Sequence, residues 1–305
     1  MSDFFKRARR YVGVHISQVK LLPDNVSLKL LFWAATGKKL DLESPKTFNE
    51  KLQWLKLHDR NPDYQTMIDK ITAKEWAAQF IGEQHIIPTI KVWDNVEDIR
   101  LDELPNQFVL KTNHDSGTVF VCKDKSHFDM ENARRHLAKS LKRNFYYQSR
   151  EWPYKNIRPQ VFAESYISSL DRPETHKDNL EPKGITDYKF LCYNGICKFL
   201  FTCTGREQGD LRVDFFDPEW NHLPFKRHYP NADEEIPKPE LLNKMIEIAE
   251  ALSKDIPFVR VDLYQEGNHI YFGEMTLYPG AGLEKFTPSE WDLILGEPIV
   301  IPSSS

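Results

Sequence analysis

The apolar positions of this chain change period several times, and each change marks an element. Ser44-Pro45-Lys46-Thr47-Phe48-Asn49-Glu50 reads as a helix start, because Thr47 and Glu50 have the spacing at which each side chain satisfies the other's orphan amide. The helix is expected to run to about Leu57. Met67, Ile68, Ile71, Ala77, Phe80 and Ile81 recur at three- and four-residue intervals, predicting a second helix from Gln65 to Phe80 stopped by Gly82. Short apolar runs follow at Ile86–Val92, Gln107–Lys111 and Thr118–Cys122, then a helical pattern over Met130–Arg143. The Pro-, Asp- and Lys-rich stretch Ser168–Gly184 is expected to be an exposed loop. Strands over Asp187–Tyr193 and Ile196–Thr204 are joined at Asn194-Gly195, a hairpin signal. Leu241, Leu242, Met245, Ile248, Ala249 and Leu252 give a last helix one apolar face. Helices and strand pairs thus alternate in an α+β or α/β manner, with no internal repeat.

The C-terminal strand pair is the most informative. Phe258-Val-Arg-Val-Asp-Leu-Tyr264 and His269-Ile-Tyr-Phe-Gly-Glu-Met-Thr-Leu277 flank a turn at Gln265–Asn268. Strict alternation assigns Val259, Val261, Leu263, Tyr271, Met275 and Leu277 to one face and Arg260, Asp262, Glu274 and Thr276 to the other. An odd-length loop sets Asp262 beside Glu274. Two adjacent carboxylates suit a cation such as Mg²⁺, which takes hard oxygen ligands and completes its shell with substrate phosphates. They equally suit a salt-bridged face of an ordinary sheet, and the segment alone does not choose.

Composition narrows the class. With 305 residues, 40 % hydrophobic, 12 % aromatic and 28 % charged, the chain can bury a sizeable core. A net charge of -4 argues against nucleic-acid binding. Cys122, Cys192, Cys197 and Cys203 form no CxxC pair, which points to a reducing cytoplasm. Leu28–Ala35, the longest early apolar run, is too short to span a bilayer, and no signal-peptide pattern is read. Lys6, Arg7, Arg9, Arg10 and Lys20 lie among Phe4, Phe5, Tyr11 and Val14, either a solvated basic helix or a docking surface for the inner face of an anionic membrane. No HExxH, GxxxxGK, GxGxxG, GxSxG or DxD string occurs, which removes the usual metalloprotease, Walker, Rossmann, hydrolase and nucleotide-sugar transferase readings.

Phe108-Val-Leu-Lys111 ends a strand in a lysine ahead of Thr112-Asn-His-Asp-Ser-Gly-Thr118, a small-residue loop whose amides can cover phosphates. The order of an Asp69-Lys70 pair on a helix, strand-end Lys111 with its loop, Glu164-Ser-Tyr-Ile167, Arg260-x-Asp262, Glu274-x-Thr276 and Pro279-Gly280 resembles the ATP-grasp superfamily, which includes D-alanine:D-alanine ligases. Ser44–Leu57 and Phe108–His114 resemble its teichuronopeptide-biosynthesis (TupA-like) branch, and the likeness covers roughly Ser44 to Gly282.

The resemblance implies an α+β ATP-grasp fold: a basic, amphipathic segment over 1–43, an N-terminal helical or α+β cap over 44–105, a small lid over 106–167 and a larger antiparallel sheet over 168–305, with ATP between the last two. It implies ATP and Mg²⁺ as cofactors. Lys70, Lys111, Ser116 and Gly117 are then expected at the phosphates, with Lys189 as a further contact. Glu164 and the backbone of Ser165, Tyr166 and Ile167 are expected at the adenosine. Asp262, Glu274 and Thr276 would hold the metal, and Arg260 with Lys111 would stabilise the transferring phosphoryl group. His114, Arg206, Arg212 and Gly280 are candidate substrate contacts. Two departures stand out: Thr276 replaces the Asn usual in relatives, and the loop has one glycine and an Asp115 that would repel phosphates unless it points outward or the loop serves a different lid geometry. The implied activity joins a carboxylate, a hexuronic acid of a bacterial surface polysaccharide, to an amine. A sugar phosphotransferase, a glycosyltransferase and a degenerate ATP-binding scaffold are the alternatives.

Overall fold

The computed structural model describes residues 3–167, 187–205 and 209–301. The expected loop at Ser168–Gly184, Arg206 and the terminal serines lie outside them. Two helices, α1 (Asp3–Ser17) and α2 (Asp24–Thr36), precede α3 (Phe48–His58). The expected capping box at α3 is formed, Thr47 accepting from the Glu50 amide and Glu50 from the Thr47 amide.

The second predicted helix is two. α4 (Tyr64–Ile68) and α5 (Thr72–Ile81) are separated at Asp69-Lys70, which therefore sits in a break rather than on a helix. The cause is competition for backbone amides. Asp69 Oδ1 accepts from the Ile71 amide at 2.9 Å, and the Lys70 amide donates to the Asn113 carbonyl at 3.1 Å, across to the loop at Thr112–Thr118. The break turns Lys70 out of the helical cylinder.

The lid is a four-stranded antiparallel sheet, β1 (Thr89–Trp93), β2 (Phe108–Thr112), β3 (Val119–Cys122) and β4 (Val161–Ser165), in the order β1-β4-β2-β3. Its edge strand β1 falls within the 44–105 segment read from the sequence as the cap. Phe108, Leu110, Val161 and Ala163 pack with Ala133 and Leu137 of α6 (Met130–Leu141). By alternation, Val109, Lys111, Phe162 and Glu164 face the other way. The short α7 (Tyr146–Ser149) connects α6 back toward β4.

The body is a five-stranded antiparallel sheet in the order β10-β9-β5-β6-β7. Its strands are β5 (Asp187–Tyr193), β6 (Ile196–Thr204), β7 (Arg212–Phe216), β9 (Val259–Glu266) and β10 (His269–Thr276). A small ladder joins β8 (Lys226–Arg227) to β11 (Phe286–Thr287), and α9 (Trp291–Gly296) closes the chain. The β5–β6 turn at Asn194-Gly195 has both residues at positive φ, 50° and 82°, as a two-residue hairpin demands. Met245, Ile248, Ala249 and Leu252 of α8 (Leu242–Leu252) join Phe190, Val261 and Leu263 in one core. Phe48, Leu52, Met67 and Ala77 belong to that same core, so the N-terminal cap packs on the body.

The opposite stripe of α3 is polar and buried. Asn49 Nδ2 donates to the Glu284 carbonyl at 2.9 Å, Gln53 Nε2 to the Gly282 carbonyl at 2.7 Å and Lys56 Nζ to the Ala281 carbonyl at 2.8 Å. These clamp the turn after β10, where Gly280, Ala281 and Gly282 all have positive φ. Burial lowers the Lys56 amine to about 8 from its ordinary 10.5, against the opposing charge of Glu151. Between those values the unfolded chain binds the extra proton, so stability from this group is lowest below pH 8 and rises toward pH 10.5. The urea midpoint of Lys56→Met should lack that rise, worth up to about 3 kcal/mol, over the same pH range.

Candidate active site

The carboxylate pair forms on β9 and β10, by a route the alternation did not reveal. The turn holds only two residues: His269 pairs with Glu266 and Phe272 with Leu263, a register that sets even positions opposite odd ones. A bulge at Gly273 then shifts the ladder, so that Glu274 pairs with Asp262 and Thr276 with Arg260. The core consequently takes Ile270 and Phe272 before the bulge and Met275 and Leu277 after it. Tyr271, expected on the apolar face, is not part of that core. Only glycine fits at the shift, since a Cβ on Gly273 would lie 2.9 Å from Tyr264 Cε2 and 3.0 Å from the Asp262 carbonyl. An isolated glycine inside a strand pattern was the available signal.

Around this pair the charges interlock. Arg260 Nε donates to Asp262 Oδ1 at 2.6 Å, and its Nη2 to Glu274 Oε1 at 2.9 Å. Lys189, the register partner of Asp262 on β5, binds Asp262 Oδ2 and reaches Asp187 Oδ2 at 2.7 Å. Lys70 Nζ stands 4.0 Å from Glu274 Oε2, and Thr276 Oγ1 donates to Glu274 Oε1 at 3.4 Å. Burial alone would raise the Glu274 carboxyl; Lys70, Arg260, Lys189 and Lys111 outweigh it and bring it down to about 2. Lys111 of the four-stranded sheet therefore acts electrostatically on a carboxylate of the five-stranded sheet. Burial pushes the Asp262 carboxyl up in spite of Arg260 and Lys189.

On the lid side Glu164 is buried between two lysines. Its Oε1 meets Lys111, and its Oε2 accepts from Lys74 at 2.7 Å. The lysine charges overcome burial and hold the carboxyl below its ordinary value. With one oxygen on each lysine, Glu164 holds Lys111 in place. Lys74 was missed in the sequence, although a lysine on the buried face of α5, beside Ala73 and Ala77, was a signal. It also donates to the Ile87 carbonyl at 2.9 Å. Lys74→Met is expected to cost about 2 kcal/mol, since it strips buried acceptors of their donor. It should also raise the KM for ATP more than it lowers kcat, because Glu164 then draws Lys111 back from the carboxylates of β9 and β10. Urea unfolding and ATP titrations of the rate check both.

Asp115 does not point outward. It is buried, with Oδ1 accepting from Thr112 Oγ1 at 2.5 Å and Oδ2 from Ser140 Oγ at 2.5 Å and Thr118 Oγ1 at 2.6 Å. Burial would raise its carboxyl; the three hydroxyls bring it below its usual value. Its backbone carbonyl accepts from Lys70 Nζ. The departure from a glycine-rich loop is thus an internal brace that stiffens the loop and leaves Ser116 and Gly117 exposed at the tip. Gly117 has φ +91° with open space where a side chain would stand.

Other candidates fall elsewhere. His114 is buried with Nδ1 3.3 Å from Asn113 Oδ1 and Nε2 3.3 Å from the Ser140 carbonyl; burial lowers its pKa. It braces the lid and offers no free edge to a substrate. Arg212 is bound to Asp210 at 3.0 Å and Asp233 at 3.3 Å on β7, the edge opposite β10. At about 4.8 Å per strand it stands roughly 19 Å from β10, away from the carboxylates. Gly280 lies in the clamped turn directly after β10, its missing side chain replaced by that of Glu284. The Ser165 amide is spent on the Pro88 carbonyl at 3.0 Å, while Tyr166 and Ile167 follow the strand half-buried.

The donor set fits a magnesium ion. Asp262, Glu274 and Thr276 offer hard oxygens from adjacent strand positions, and Asp187 Oδ1 nearby is buried without a partner among the described residues. Among those residues no three acidic, imidazole or thiol groups converge as they would around an all-protein metal cage. Two carboxylates completed by nucleotide phosphates is the usual Mg²⁺ arrangement.

A family model described as TupA-like ATPgrasp matches residues 50–300. No curated protein matches the chain significantly. Among solved structures, it is similar to D-alanine–D-alanine ligase from Bacillus anthracis complexed with ATP, at 16% identity and TM-score 0.37, covering 70% of this chain and 54% of that one. The Helicobacter pylori D-alanine–D-alanine ligase aligns at 13% identity and TM-score 0.45, with 86% and 69% covered. N5-carboxyaminoimidazole ribonucleotide synthetase from Thermus thermophilus aligns at 14% identity and TM-score 0.37, with 70% and 46% covered. The chain thus spans about half the length of the first of these, 54%. The family rests on the sequence match.

Proposed function

The chain belongs to the TupA-like ATP-grasp family, and from that premise we propose that it is an ATP-dependent carboxylate–amine ligase. Its carboxylate is a hexuronic acid of a bacterial surface polysaccharide or its precursor, and its amine an amino acid or amino alcohol. The observation that carries the reading is the single electrostatic cluster formed by Asp262 and Glu274 with Arg260, Lys189, Lys70 and the lid's Lys111. Bound Mg²⁺, held by Asp262 and Glu274, would supply neutralising charge to the phosphates.

The chain's own groups do the rest. Lys70 and Lys111 hold the phosphates from two sides, and the tip at Ser116-Gly117 covers them. The backbone of Tyr166 and Ile167 meets the adenine edge. Arg260 is already fixed by two carboxylates, so it meets developing charge without reorganising. A substrate carboxylate oxygen attacks the γ-phosphorus, the bond to the bridging oxygen breaks, and ADP leaves. The amine then attacks the carbonyl carbon of the acyl phosphate, phosphate leaves with the bonding electrons, and the amine loses its proton. Positioning and charge neutralisation account for the catalysis, as phosphoryl transfer needs little covalent help.

ADP release measured with Mg·ATP across panels of uronic acids and amines tests the reading. The ligase requires both partners and yields an amide. ADP release that needs a sugar and no amine would instead identify a phosphotransferase acting on a hydroxyl.

A further inference from the structure

Among the described residues, the N-terminal helical hairpin is a large charged and apolar surface outside the proposed ATP site. Among the described residues, seven of the sixteen exposed large hydrophobic side chains lie between residues 11 and 33. Tyr11, Val12, Ile16, Val19 and Leu21 follow one another around the end of α1, and Leu21 at the apex is 94% exposed. Val12 and Ile16 share one face of α1, and Val19 lies just past its end. Trp33 of α2 is also exposed, with the Arg9 guanidinium 5.8 Å above its ring. Residues 1–36 hold six Lys or Arg against two Asp in a chain of net charge -4, so positive charge is concentrated here and the rest of the chain is more acidic than the whole.

This hairpin is a built part of the molecule. Gly13 brings α1 so close to α2 that a Cβ there would collide with Ala34. Arg150, fully buried, donates from Nε to Ser27 Oγ at 2.9 Å and from Nη2 to the Val19 carbonyl at 2.7 Å. Tyr146 donates to Asp24 at 2.5 Å. The contacts continue inward from Arg150: the carbonyl of its neighbour Ser149 accepts from Lys56 at 2.9 Å, and Lys56 also holds the turn after β10 at Ala281.

We infer that the face formed by the end of α1, the Lys20-Leu21 apex and α2 docks on an anionic lipid bilayer. Apolar side chains at the apex enter the headgroup boundary while the exposed Lys20 and Lys29 meet lipid phosphates. Charge complementarity selects the lipid: a basic face on an otherwise acidic protein is drawn to an anionic surface and orients the rest of the protein away from it. The exposed apolar apex distinguishes a bilayer from a soluble polyanion, which has nothing to offer Leu21 and Val19. No described helix is long and apolar enough to cross a membrane, so the contact is peripheral. Because Arg150 and Lys56 tie the hairpin to the turn after β10, docking fixes how the carboxylates of β9 and β10 are presented to the surface. A lipid-carried acceptor would then be within reach, a corollary that rests on the ligase reading; the docking itself does not.

The test is sedimentation of the full chain with phosphatidylcholine vesicles, with and without phosphatidylglycerol. Binding at least about tenfold tighter to the anionic vesicles, weakened by salt, is expected. Lys20→Glu/Lys29→Glu should abolish that preference, and Val19→Ser/Leu21→Ser should weaken binding several-fold at unchanged charge. Thermal stabilisation by Mg·ATP, measured on the same proteins, should be unaltered, so loss of docking and loss of ATP binding are read separately. Absence of sedimentation with either vesicle overturns the inference. So does full binding by the Val19→Ser/Leu21→Ser protein, which would mark a face for soluble polyanions, or a dimer that those two substitutions dissolve, which would mark a second copy as the occupant.

Discussion

Glu274→Gln is expected to fold normally and to lose about 10³-fold in ADP formation, the several kcal/mol that a metal clamp supplies at about 1.4 kcal/mol per decade. The substitution keeps shape and hydrogen-bonding capacity and removes one charge. The urea midpoint should fall modestly, because the charge removed is the one that Lys70, Arg260, Lys189 and Lys111 stabilise, an effect that solvent screens in part at 35% side-chain exposure. Arg260 keeps Asp262 as a partner at 2.6 Å. The Mg²⁺ dependence of ATP-induced thermal stabilisation should disappear with the activity. Asp262→Asn is a poorer probe, since it leaves Arg260 and Lys189 facing each other without their shared buried counter-charge, and misfolding would mimic loss of chemistry. Wild-type rates from Glu274→Gln would remove Glu274 from the metal site.

Gly273→Val should be nearly as damaging to activity, without altering a charged group. The new side chain has to displace the Tyr264 ring and the Asp262 carbonyl, which overpacking data put at about 1–3 kcal/mol. The relief available is loss of the bulge, which would return β10 to the register set by its two-residue turn. Glu274 would then leave its place beside Asp262, and displacements of about 1 Å at a reacting centre cost on the order of 10²-fold. The expected outcome is a folded protein with a lower urea midpoint and at least that loss in ADP formation. Gly273→Ala should fall between it and the wild type. Full activity in Gly273→Val would mean that the carboxylates reach each other by another route.

Much of the local structure was legible in the residue pattern because it depends on near neighbours. Alternation located β5 and β6 at the observed bounds, Asn194-Gly195 marked their turn, Thr47 and Glu50 marked the start of α3, and the apolar stripe of α8 was complete. The resemblance of Ser44–Leu57 and Phe108–His114 to one branch of a family agrees with the match over residues 50–300. Asp262 and Glu274 were paired correctly by a mistaken account of the loop, since the shift that aligns them is a bulge eleven residues past Asp262 in the chain.

What tertiary structure alone decided are the contacts between distant segments. Lys74 and Glu164 are 90 positions apart, and neither the burial of that lysine nor its aim at the carboxylate that also meets Lys111 follows from helical spacing. Asp115 looks hostile to phosphates in a linear string and becomes a brace only because Ser140, from α6, comes within 2.5 Å of it. The break at Asp69 needs the Asn113 carbonyl from β2's following loop. Side-chain periodicity records which face of an element is buried, and so it predicts the elements themselves. The partner a buried polar group finds on the far side of that face depends on how the elements pack, which is where the charges of this site were assigned.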